Sequence, residues 1–219
     1  MTAKKTRRRR ADGLATRQRI LESATTMFSA SGYEATSLRQ IAAAASIDIA
    51  TLKYHYKGKP ELFAQVYGRG HGLFIEAIAP VMAELSQSQD AQDVRDVIAV
   101  LVDTIHEFVA QEQHFVKLTL FRLMEDSLDV IGLEDELQQV ALEALEHVFA
   151  DLARRGISSA VDARGFVVFL ITSFCMWSVT AKVKPAWLGG AHIETPEGQA
   201  RSKAFFQIAV ERMLGVEQQ

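Results

Sequence analysis

Cysteine is almost absent, since Cys175 is the only one in 219 residues. It can form neither an internal disulfide nor a thiolate zinc site, which suits a reducing, cytoplasmic setting. Helix breakers are scarce as well, at four prolines and 13 glycines. Long stretches repeat apolar residues at helical spacing, and that pattern predicts an all-α chain of about nine helices. The basic N-terminus is followed by no apolar run, so no secretory leader is read there. The longest uncharged run, "GFVVFLITSFCMWSVTA", covers 17 residues, Gly165 to Ala181. That is the lower edge of a membrane-spanning length. Its hydroxyl residues and the lack of a second span beside it mark a helix for a core or a subunit interface. No Gly-rich phosphate loop, serine elbow or HExxH pattern occurs. The six histidines show no metal-ligand spacing: His106 and His114 are eight apart with no third ligand beside them. No catalytic residue, metal or cofactor is therefore expected, and Cys175 reads as core.

Charge is present but uneven. Residues 1–70 hold 13 Lys and Arg against 5 Asp and Glu, and the remainder holds 11 against 22. Only the first third is suited to a polyanion. Residues 1–16, with Lys4, Lys5 and Arg7 to Arg10, read as a disordered basic arm.

A first helix is expected from about Thr16 to Ser29, with Ile20, Ala24, Met27 and Phe28 on one face and Gly32 as its stop. A second starts at Ser37, where Ser37 and Gln40 form a capping box. After a four-residue turn, Asp48 can cap a third helix, Ile49 to Tyr56. Leu52 and Tyr56 lie one turn apart and face inward. Thr51, Lys53, Tyr54 and His55 then fall on the other faces. Two short helices joined this way predict a helix-turn-helix, whose second helix enters the DNA major groove. Pro60 suits the first turn of a fourth helix running to about Leu85. Further helices are expected at 93–111, 114–127, 134–155, 162–182 and 197–214, with a loop from Lys184 to Pro196.

Across residues 17–64 the chain resembles the TetR family of bacterial transcriptional regulators. The resemblance rests on "ILESATTMFSASGYEATSLRQIA", on "TLKYHY", and on Lys59 followed by "ELF". It implies a DNA-binding domain at 17–64 and a ligand-binding and dimerisation domain at 65–219. It also implies a homodimeric repressor that a small molecule releases from an operator. Carried over residue by residue, Ile49, Ala50 and Lys53 are expected to face base edges. Thr51, Tyr54, His55 and Lys59 are expected to hold phosphates, and Arg39 to meet a phosphate or a base. The resemblance also suggests a minor-groove role for Arg7 to Arg10. Three positions depart from the family pattern: Lys53 for an aromatic, Ile49 for a polar residue, and Ser46 for the turn glycine.

The acidic part offers candidates for the ligand pocket. Phe115, Leu118, Phe121 and Arg122 lie close on one expected helix, and Phe174, Met176 and Trp177 on another. His106, Thr119 and Arg122 are candidate polar anchors around a largely apolar ligand. The helices at 162–182 and 197–214 are candidates for the dimer interface, with Phe166, Phe174, Phe205, Phe206 and Ile208 among their apolar residues. Two other classes stay open at this point: a non-specific nucleic-acid-binding helical protein, and a helical enzyme docking an anionic substrate.

Overall fold

A computed structural model describes residues 2–125, 131–183 and 195–216. Nine α-helices are found among the described residues: α1 Thr2–Ser31, α2 Leu38–Ala44, α3 Ile49–His55, α4 Lys59–Gln87, α5 Ala91–Gln111, α6 Gln113–Met124, α7 Ile131–Arg154, α8 Ala163–Val183 and α9 Pro196–Leu214. No strand occurs among them. Helix boundaries fall within a few residues of expectation, with one exception. The backbone of residues 2–16 is the first part of α1 rather than a disordered arm. Ala, Lys and Arg are good helix formers, and Gly13 alone is too weak a breaker to stop a helix already nucleated behind it. The expected loop from Lys184 lies mostly outside the described residues.

The termini follow local chemistry. Ser37 and Gln40 form the reciprocal capping box at α2. Asp48 caps α3, Pro60 occupies the first turn of α4, and Thr195 caps α9 ahead of Pro196. Two helix ends share one backbone device. Ile157 N–H donates to Leu152 and Gly156 N–H to Ala153 after α7, with Gly156 at φ 72°. Val216 and Gly215 repeat it after α9, with Gly215 at φ 66°. Both are Schellman turns, which place a left-handed residue just past the helix. The turn after α2 is the same, with Ile47 N–H on Ala42 and Ser46 N–H on Ala43, but its left-handed residue is Ser46, at φ 55°.

Two apolar clusters divide the molecule. The first gathers Ile20, Ala24 and Phe28 of α1, Ile41 of α2, Leu52 and Tyr56 of the α3 region, and Leu62, Phe63, Val66 and Tyr67 of α4. Leu118 of α6 completes it from far along the chain. The second is built from α4, α5, α7, α8 and α9 around Val94, Phe149, Leu152, Phe166, Phe174, Phe206 and Val210. Helix α4 belongs to both clusters and α6 packs between them, touching α1 on one side and α8 on the other.

Candidate nucleic-acid interface and ligand cavity

Leu52 and Tyr56 are fully buried, which fixes how α3 is turned. The opposite faces must then look outward. Ala50, Lys53 and Tyr54 are exposed, Tyr54 at 85%, and Arg39 is exposed on α2. Thr51 and His55 are half-buried at the edges of this surface, and the His55 ring stands edge-on to Tyr54 at 5.3 Å. Asp48 Oδ1 accepts the Thr51 N–H at 2.6 Å and Oδ2 accepts its hydroxyl at 3.1 Å. Those bonds hold the Asp48 carboxyl below its usual pKa, the backbone N–H of Thr51 contributing most.

Two expected contact residues also have structural work. Ile49 is half-buried and packs on the first core cluster. Lys59 Nζ lies 4.1 Å from the centre of the Tyr33 ring and donates to the Glu34 carbonyl at 3.3 Å. It ties the start of α4 to the turn after α1. Arg7 to Arg10 lie on the helical backbone of α1, and their side chains are outside the described residues.

The larger part of the chain holds a cavity of about 540 Å³ between α4, α5, α6, α7 and α8. Its wall is mostly hydrocarbon and aromatic ring, as small-molecule sites generally are. Of the sequence candidates, Phe115, Thr119 and Phe174 line it, whereas His106, Leu118, Phe121, Arg122 and Trp177 do not. Leu118 is instead in the N-terminal core, and Phe121 lies against Gly32 at the end of α1. Arg122 is buried, at 9% exposure, but away from the cavity wall. The His106 Nε2 pairs with the Ser202 hydroxyl at 3.0 Å, and its ring stands against Phe174 and Phe206. Trp177 stands edge-on to Phe206. Helix α6 has two apolar faces because it packs on two sides, and one sequence stripe cannot say which face meets the ligand.

The wall from α4 went unrecognised in the sequence. Tyr67, His71, Phe74, Ile75, Ile78 and Met82 all line the cavity. Their spacing of i, i+4, i+7, i+8, i+11 and i+15 marks one helical face, and that signal was present to be read. Burial pushes the His71 pKa down, and it pushes the Cys175 thiol, also on the wall, up to about 11. A high thiol pKa is that of an inert core cysteine and not of a nucleophile.

The cavity and the N-terminal bundle meet at α6. Phe115 lines the cavity and sits on Gly70 of α4, where an added Cβ would be 2.2 Å from its ring. The same ring is 5.4 Å from Tyr67 of the first core. At one end of α6, His114 Nδ1 and the Ser29 hydroxyl lie 2.6 Å apart. Just past the other end, the Glu125 carboxylate accepts the backbone N–H groups of Tyr33 at 3.1 Å and Glu34 at 3.4 Å. Gly32, at φ 77°, makes room for that carboxylate, since a Cβ there would be 2.1 Å from Oε1.

Residues 20–66 match the family model for "Bacterial regulatory proteins, tetR family". Those residues are a TetR-type DNA-binding domain. The segment matched contains the helix-turn-helix and the first turns of α4. A curated relative is "Probable HTH-type transcriptional regulator YttP" of Bacillus subtilis (strain 168), 25% identical over 116 residues. That match spans 53% of this chain and 53% of the relative, so it covers about half the relative's length. Solved structures share the fold of this chain. Salmonella enterica GusR superposes with a TM-score of 0.62 at 17% identity, covering 92% of this chain and 94% of that one. The transcriptional regulator FadR from Bacillus subtilis, in complex with stearoyl-CoA, gives 0.59 at 16% identity, covering 90% and 96%. No helix among the described residues is long and apolar enough to cross a membrane.

Proposed function

We propose that the chain is a dimeric transcriptional regulator, a repressor that leaves a palindromic operator when a small, largely apolar ligand fills the cavity. One observation carries this reading: the cavity wall and the core behind the recognition helix share α4 and the Phe115–Tyr67 contact. A molecule entering the cavity therefore presses on the element that positions α3. The complex of FadR with stearoyl-CoA supports a ligand with a long apolar part.

On DNA, Lys53 and Ala50 face base edges, with Ile49 giving apolar contact from the helix start. Arg39, Thr51, Tyr54, His55 and Lys59 hold phosphates and set the register. Residues 17–64 form the DNA-binding unit and 65–219 the ligand-binding and dimerisation unit. Ligand acts through its different affinity for two positions of α4, one of which spaces the recognition helices for the operator. Carboxylate or nucleophile chemistry has no part in this reading.

The test is fluorescence anisotropy with a duplex of the promoter beside the protein's own gene, against an unrelated duplex, across salt. Selective binding that drops at least tenfold in a Lys53→Ala, Tyr54→Ala double variant is expected. Equal, steeply salt-dependent binding of every duplex tried would point to a non-specific nucleic-acid binder instead.

A further inference from the structure

The cavity contains a polar side chain that the protein itself leaves unused. His71 faces it from the middle of α4, half-buried among Tyr67, Phe74 and Ile75, with no hydrogen bond to the protein among the described residues. Burial keeps its imidazole neutral, so one ring nitrogen donates and the other accepts. Of the other polar wall groups, Gln138 lies on α7, and Thr119 and Arg164 are already engaged. Thr119 already donates its hydroxyl to the Phe115 carbonyl at 3.0 Å. Arg164 is 61% exposed and paired with Glu146 at 3.3 Å. His71 is thus a ring with a donor and an acceptor, without a protein partner among the described residues, set in a wall of hydrocarbon where a single polar contact decides orientation.

The sign of the wall points the same way. His71 and Arg164 are the two wall residues able to carry positive charge, and no Asp or Glu lines the cavity among the described residues. Yet residues 71–219 hold 22 acids against 11 bases. A cation would find no counter-charge here, whereas an acid would find an imidazole that can donate to its carbonyl oxygen or accept its O–H. The cavity is long. The α8 wall from Arg164 to Cys175 covers 11 residue steps, or about 16 Å of helix.

Resting on the ligand-release reading above, we infer that the effector is a slender apolar molecule with one acidic head group, seated on His71. Its body lies along the hydrocarbon wall, and its head sits one helical turn from the Tyr67–Phe115 contact at the N-terminal core.

Three ten-carbon probes that differ only in head group test this: decanoate, decanol and decylammonium, titrated calorimetrically into the full-length protein. Decanoate is expected to bind at least tenfold more tightly than either of the others. In His71→Phe, which keeps an aromatic ring but no polar atom, that advantage disappears. His71→Gln, which keeps a donor and an acceptor, recovers part of it. Decylammonium binding as tightly as decanoate would overturn the inference, as would an acid preference that survives in both variants. Operator binding by the same preparations separates the two readings. Decanoate that binds at His71 but never displaces operator refutes ligand release and leaves the head-group assignment standing. Operator binding with no uptake of any of the three probes refutes the assignment alone.

Discussion

Ser46 carries a conformation that its neighbours in kind give to glycine. The three Schellman turns among the described residues have the same hydrogen bonds, and two of them use Gly156 and Gly215. A left-handed residue with a Cβ costs roughly 1–2 kcal/mol, and glycine returns about half of that gain as extra freedom in the unfolded chain. Ser46→Gly should therefore raise stability by about 0.5–1 kcal/mol, read as a higher urea midpoint with an unchanged slope. A lower midpoint would mean that the serine hydroxyl matters more than the backbone. Cys175 is the other informative residue. With its pKa pushed up to about 11 from 9.0, the thiolate fraction at pH 8 is about 100-fold below that of a free thiol. Maleimide labelling at pH 8 should be slower by at least that factor in the folded protein and become fast in denaturant. The folded state holds the thiol proton more tightly, so this group's contribution to stability is complete below pH 9 and is lost as pH rises toward 11. Rapid labelling of the native protein would show that the cavity is open at Cys175.

Among the elements, α6 links the two halves. It is held to α1 by Ser29–His114 near its start and to the turn after α1 by Glu125 past its end, and it places Leu118 in the N-terminal core and Phe115 in the cavity wall. Gly70 is what lets α4 lie against Phe115. Gly70→Ala would drive a methyl into that ring, and overpacking of this kind costs about 1–3 kcal/mol. The ring can escape only into the cavity or toward Tyr67. The variant should therefore show lower thermal stability together with altered operator affinity in the absence of any ligand. Lowered stability with wild-type operator binding would mean that this contact supports the fold without transmitting anything. The sequence made α6 visible as a helix but not as a two-sided one. Phe115, Leu118, Thr119 and Phe121 look like one candidate pocket in the sequence, and only the neighbours α1 and α8 divide them.

At the scale of the whole molecule, several apolar side chains lie open at the surface. On α8 Met176 is 51% exposed, and on α9 Phe205 is 64% and Ile208 51% exposed. Phe166, Phe174 and Phe206, which the sequence also offered for an interface, are instead buried within their own chain. A homodimer through α8 and α9 should thus rest on Phe205 and Ile208. Phe205→Glu combined with Ile208→Arg is expected to give monomers by light scattering at micromolar concentration, with unchanged helical circular dichroism. A dimer that persists would place the interface elsewhere.

The sequence by itself determined the helix-turn-helix. Its signals are local: the Ser37–Gln40 capping box, the Asp48 cap, the phase of Leu52 and Tyr56, and the stop at Gly32. Each acts within about a turn of chain, so spacing was enough to orient α3 and expose Lys53 and Tyr54. It also determined the uneven charge and the number of helices. Where the chain was only locally helical, as in residues 2–16, charge suggested an arm while backbone propensity favoured a longer α1. Tertiary structure alone decided which apolar faces meet one another and which enclose empty space. A cavity is the volume that packed helices leave unfilled: periodicity shows a face such as that of Tyr67 to Met82 on α4, but not whether it meets a neighbour or empty space. His71 and His106 are therefore alike in sequence as lone histidines on apolar helices, yet one faces the cavity and the other is held by Ser202 between two phenylalanines.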